Sequence, residues 1–184
     1  MKNRNHSLIF GIIHWAIAIC IIIILITIFL RLNWMNKNHL AGIIQNYLST
    51  TNQSLTQDQL IQLAKQIRKP MWNWHIYIGY VLVGLFSIRF FLPLFGTMKF
   101  KNPFNKELNF KEKFRFWIYI VFYIGIILSL TTGMIIELGP KDLKKPIESI
   151  HVLSNYYLIA FIILHLVGLL LSKLSTKKRS IPEK

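Results

Sequence analysis

The chain has 184 residues, 53% of them hydrophobic, with a mean hydropathy of +0.44 and a formal net charge of +15. A soluble domain of this size mixes apolar and polar residues more evenly; here the apolar residues fall in blocks, which argues against an ordinary water-soluble fold. The charge invites nucleic acid, but its distribution argues against that too: across a four-span topology, 14 of the 22 Lys and Arg residues lie on one side and eight on the other, a topological bias joined to attraction for anionic lipid.

The first block, Leu8 to Leu30, is 23 residues without a charge. At about 1.5 Å per residue it is long enough for the roughly 30 Å of a bilayer's hydrocarbon. It is too long for a signal-peptide core, contains His14, and is followed by no small-x-small cleavage pattern, so a span is expected rather than a leader. Cys20, the only cysteine, sits mid-span and is expected to be a small core residue.

The segment from 31 to 73 is expected on the outer face. Within it, "LTQDQLIQLAKQIRK" carries apolar residues at 55, 60, 61, 63 and 67, a helical stripe with Thr56 and Gln59 placed for a capping box and Pro70 placed to stop it. The reading is a short amphipathic helix lying on or near the membrane surface, bracketed by Trp34, Trp72 and Trp74 at the interface. The second span follows from Trp74 to about residue 95, interrupted only by Arg89. A basic, aromatic cytoplasmic connection, "GTMKFKNPFNKELNFKEKFR", leads to a third span at 116–136, with an aromatic inner half and a small, polar outer half around Ser129, Thr131, Thr132 and Gly133. "ELGPKDLKKPIES" reads as a short connection broken by Pro140 and Pro146, before a fourth span at 150–172 and a solvated tail. The expectation is an all-α, integral membrane four-helix bundle: one membrane domain over 1–184, with helices at about 8–30, 74–95, 116–136 and 150–172 and both termini cytoplasmic.

Six histidines occur, and His6 and His39 lie in polar flanks as ordinary solvated side chains. The other four are inside spans, where ionisable groups are costly and mark function. His151 and His165 are fourteen residues apart, two heptads, so they share a helix face about 21 Å apart along it. By depth, His14 lies level with His165 near the cytoplasmic side, and His75 level with His151 near the outer side. Two facing imidazoles at each of two levels suit a b-type haem, whose iron takes two axial nitrogens in an apolar cleft between helices. A bare zinc ion suits them less, for want of a third and fourth ligand. Gly11 and Ala18 flank His14, and Gly79 follows His75 by one turn, leaving room for a flat ring or for helix contact. Arg89 ends the stripe of His75, Gly79, Leu82 and Phe86, where it pairs with a haem propionate or snorkels to the headgroups. There is no CxxCH, so the haem is expected to be non-covalent. No catalytic side chain is expected: with both axial positions filled by histidine, any oxidoreductase chemistry is outer-sphere electron transfer.

"GIIHW" around His14, "WHIYIGYVLVGLFSIR" from Trp74 to Arg89 and "IHVLSNYYLIAFIILH" from Ile150 resemble the bacterial cytochrome b561 family of four-helix, dihaem membrane proteins. His14, Trp15, His75, Gly79, Arg89, His151 and His165 occupy the family's motif positions. The chain departs from the pattern in its long segment between helices one and two and in lacking a proline near Leu130. The resemblance implies two haem b groups, residence in the bacterial inner membrane, and electron exchange with quinone, with superoxide or quinol as candidate donors. The related cytochrome b subunits of hydrogenases and other dehydrogenases suggest an alternative, a haem-bearing anchor whose outer segment docks a redox protein. A haem-free scaffold or transporter is a third reading, disfavoured by the absence of an inverted repeat or broken helix.

Overall fold

A computed structural model of the chain describes the backbone of residues 2–92 and 110–179, and the side chains of 8–92, 112–114 and 116–170. The described residues form six helices: α1 Lys2–Leu32, α2 Lys37–Thr50, α3 Gln57–Phe91, α4 Phe110–Leu138, α5 Lys141–Val152 and α6 Ser154–Arg179. Four stretches among them are long and apolar enough to cross a membrane: Leu8–Leu32, Gln57–Phe91, Glu112–Leu138 and Lys141–Leu170. The protein is thus an all-α, multi-pass membrane protein. Most of the basic connection expected at 96–115, the side chain of His6 and the last five residues lie outside the described residues. The chain divides into two compact units, Met1–Phe100 and Lys101–Lys184.

In the first unit α1 and α3 run antiparallel. Thr27 meets His75 and, one turn further on, Arg31 meets Trp72. Buried Ile13, Ile17, Cys20, Ile21 and Thr27 give α1 a packed stripe at helical spacing. After α1, Asn36 caps α2 by accepting the Asn38 N–H at 2.9 Å. Asn52, with φ of 53°, takes the left-handed conformation that asparagine tolerates better than other side chains. The capping box expected at Thr56 and Gln59 then starts α3, with reciprocal bonds of 3.3 and 2.9 Å. Ala41, Leu60 and Ala64 bury one another between α2 and α3, with Leu40, Ile44, Leu48 and Ile61 around them. The two alanines let the helix backbones approach closely.

The structure corrects three local expectations. Pro70 does not stop a helix; it lies inside α3, which runs unbroken for 35 residues. Proline removes its own N–H bond to the Gln66 carbonyl and its ring crowds that carbonyl. That loss is outweighed because α3 is held on both sides, by Ala64 against α2 and Leu82 in the interior. The amphipathic segment is therefore the first part of the second span's own helix rather than a separate surface helix. Residues 37–50, read as connection, form α2. In the second unit, Pro140 is the N-cap of α5 and Pro146 lies inside it, so the "broken" connection is helical.

α4 in the second unit pairs antiparallel with α5 and α6. Tyr119 meets His165, Phe122 stacks on Phe161 at 3.7 Å, Ser129 meets Ser154, and Thr132 meets His151. Steps of three, seven and three residues along α4 are matched by steps of four, seven and three back along the partner. The register survives Leu153, where a tight turn (Leu153 N–H to Ile150 O, 3.1 Å) separates α5 from α6. Gly125 is required by packing, since a Cβ there would lie 2.9 Å from Tyr157 Cε2. The Tyr157 hydroxyl closes a buried cluster with Ser129 and Ser154. Such polar bonds and close small-residue contacts hold helices together where burial from water gives no drive.

Candidate functional site

The four intramembrane histidines divide two and two between the units. His75 is half-buried on α3, and its Nδ1 lies 2.9 Å from Thr27 Oγ1. The Thr27 hydroxyl has one hydrogen, and it is given to the Ile24 carbonyl at 2.6 Å. With that hydrogen on the Ile24 carbonyl, Thr27 is placed to accept from a His75 Nδ1–H, the tautomer that would leave the lone pair on Nε2. Trp72 stacks on the same imidazole, 4.4 Å away and within 7° of parallel, and the Arg31 guanidinium lies 4.1 Å from the Trp72 ring on the α1 side. The ring's plane is set by neighbours within the unit.

His151, on α5, repeats the arrangement. Its Nδ1 is 3.0 Å from Thr132 Oγ1, whose hydrogen points back to the carbonyls of Leu128 (2.8 Å) and Ser129 (3.0 Å). Again the threonine is placed to accept from an Nδ1–H, the tautomer that would leave the lone pair on Nε2. Gly133 makes room for it: a Cβ there would stand 3.2 Å from the imidazole Cε1. His165 on α6 has Tyr119 Oη 3.1 Å from its Nδ1 and Phe161 stacked beside it, 5.6 Å between centroids. His14 is exposed on α1, edge-on to Trp15 at 6.1 Å.

The spacing is the same in both units. On α1, His14 is thirteen residues before Thr27, the partner of His75; on α4, Tyr119 and Thr132, the partners of His165 and His151, are also thirteen residues apart. Thirteen residues of helix span about 20 Å. Each unit thus presents imidazoles at two levels with equal separation. Carried along α1 and α3, the register that joins Thr27 to His75 and Arg31 to Trp72 sets Arg89, half-buried in the last turn of α3, level with His14.

A family model for prokaryotic cytochrome b561 matches residues 5–182. The chain belongs to the prokaryotic cytochrome b561 family. It is therefore a b-type haem cytochrome of electron transfer, embedded in a bacterial membrane by several spans. No curated protein and no solved structure matches it. The donor set fits the family's cofactor, because a histidine that binds metal through Nε2 gives its Nδ1–H to a fixed acceptor, which sets the tautomer and raises the ligand's basicity. A Cβ at Gly11 or Gly79 would meet nothing within 4 Å, as at Gly42, Gly84 and Gly168, so helix packing does not require glycine at these positions as it does at Gly125.

Sequence reasoning missed that Thr27, Tyr119 and Thr132 partner the histidines. One signal was available. Thr27 is the only hydroxyl or amide in the run from Trp15 to Leu30, and a lone polar side chain in hydrocarbon needs a partner at its own depth.

Proposed function

We propose that His14, His75, His151 and His165 are the axial ligands of two non-covalent b-type haems, paired as their depth in the sequence suggests: His14 with His165, and His75 with His151. The observation that carries this is the doubled arrangement just described, two histidine levels about 20 Å apart in each unit, with hydroxyls on Nδ1 at three of the four. When bound, haem supplies a one-electron change between ferric and ferrous iron. Thr27 and Thr132 hold the tautomer that offers Nε2 to iron. Gly11 and Gly79 leave space beside the ligand helices, and Arg89 would answer a propionate charge. Aromatic and aliphatic side chains around the ligands exclude water.

Haems held at two such levels would pass electrons across the membrane. We infer that quinone exchanges them at one end, with superoxide or quinol as candidate donors, and that the protein sits in the inner membrane with both termini in the cytoplasm. A second reading, a haem-bearing subunit that anchors a dehydrogenase or hydrogenase, draws support from the α2–α3 hairpin, where Ile43, Tyr47 and Ile67 are exposed next to the packed Ala41–Leu60–Ala64 cluster.

A reduced-minus-oxidised spectrum with a haem assay on the purified protein tests the assignment. Two b-type haems per chain are expected. His75→Ala or His151→Ala should remove one of them, and His14→Ala or His165→Ala the other. A well-folded preparation made with ample haem that shows no b-type bands would sink the assignment, and loss of both haems from a single folded variant would sink the pairing.

A further inference from the structure

At the end of the first unit that carries His75, Arg31, Lys65, Arg68, Lys69, Met71 and Trp72 line a groove of about 180 Å³. No Asp or Glu lines it. Lys65, Arg68 and Lys69 lie three and four residues apart, on one face of α3, and Arg31 joins them from α1. Like charges at these helical spacings repel and destabilise the helix that bears them. Four of the eight basic residues expected on this side of the membrane are gathered here, against the general bias of positive charge toward the cytoplasm. The concentration is explained if a negative group lies among them.

The level of the groove identifies the group. Trp72 is one of its walls, and Trp34 and Trp74 lie beside it in sequence, at the aromatic belt where headgroups begin. Met71 and the Trp72 ring give it an apolar side, while the four cations give it a charged one. An ion dissolved in water needs only the second; a phosphodiester with a glycerol backbone and acyl chains uses both. We propose that this groove is a binding site for the headgroup of an anionic phospholipid, with phosphatidylglycerol as its simplest form. The occupant lies on the stack of Arg31, Trp72 and His75, so a lipid is placed against the ring that flanks a proposed haem ligand.

The test uses the intact haem-loaded protein in detergent, titrated by calorimetry with dioctanoyl phosphatidylglycerol, dioctanoyl phosphatidylcholine and inorganic phosphate. Phosphatidylglycerol should saturate at one site at least tenfold more tightly than phosphatidylcholine, and inorganic phosphate should compete poorly. The triple variant Lys65→Gln, Arg68→Gln, Lys69→Gln should bind it at least tenfold more weakly. The charge-preserving set Lys65→Arg, Arg68→Lys, Lys69→Arg should keep the affinity, and so should Lys141→Gln, Lys144→Gln, Lys145→Gln on α5. Equal binding of the two lipids, wild-type affinity in the first triple variant, or phosphate binding as tight as phosphatidylglycerol would each overturn the proposal. Circular dichroism and the visible spectrum confirm that the variants compared are folded and haem-loaded, so loss of lipid binding is separable from loss of haem.

Discussion

Thr27→Val tests the link between the fold and the proposed ligand set most directly. Valine keeps the shape of threonine and removes the oxygen that accepts the His75 Nδ1–H. Thr27 is only 4% exposed, so water does not replace it. Two magnitudes compete. As a helix–helix hydrogen bond in a membrane, the pair is worth about 0.6 kcal/mol. As the outer partner of a metal ligand, it is worth about ten- to a hundredfold in affinity for the metal group, which is about 1.4–2.7 kcal/mol. The variant should therefore melt almost like wild type without haem and yet lose the haem proposed at the His75 level ten- to a hundredfold more readily. That loss can be followed as transfer to excess apomyoglobin. The midpoint potential of the affected haem should also rise, since a less basic imidazole favours the ferric state less. Thr27→Ser keeps the oxygen and should behave as wild type. A Thr27→Val protein with wild-type haem retention and potential would refute the role assigned to the hydroxyl, whatever its melting temperature.

Three further outcomes follow from the same geometry. Tyr119→Phe removes the hydroxyl at His165 Nδ1 and should loosen the other haem by a similar factor, leaving the His75 and His151 level untouched in the spectrum. Gly125→Ala puts a Cβ 2.9 Å from the Tyr157 ring and should cost about 1–3 kcal/mol in a thermal melt, whereas Gly79→Ala meets nothing within 4 Å and should not lower the melt of the haem-free protein while reducing haem uptake. Pro70→Ala restores a hydrogen bond to the Gln66 carbonyl within α3; the thermal midpoint should rise with no loss of helical signal, and a fall would show that the proline shape is itself required.

The four spans were legible because uncharged runs of this length have few other uses, and the capping box at Thr56 because its two side chains are close in sequence. Pro70 misled because a local rule was applied to a helix fixed by distant contacts: Leu60 and Ala64 against α2 on one side of it, and Leu82 in the interior on the other. α2 was written in Leu40, Ala41, Ile44 and Leu48, but a 14-residue stripe following a span is easily read as loop. The histidines stood out as costly groups in hydrocarbon. Their hydroxyl partners did not, because Thr27 and His75 are 48 residues apart and Tyr119 and His165 are 46 apart, and only the antiparallel registers bring them level.

The unbroken α3 also fixes a stand-off. Its 35 residues measure about 52 Å, against about 30 Å of hydrocarbon, so about 20 Å of it lies beyond the oily layer. With α2 braced against it, that excess forms a post. Its tip at Gln57 is eighteen residues, about 27 Å, from His75. A globular visitor would meet such a post before the imidazole at its foot, while a small or slender molecule would pass alongside. Size would then sort what exchanges charge at this end before any chemistry does.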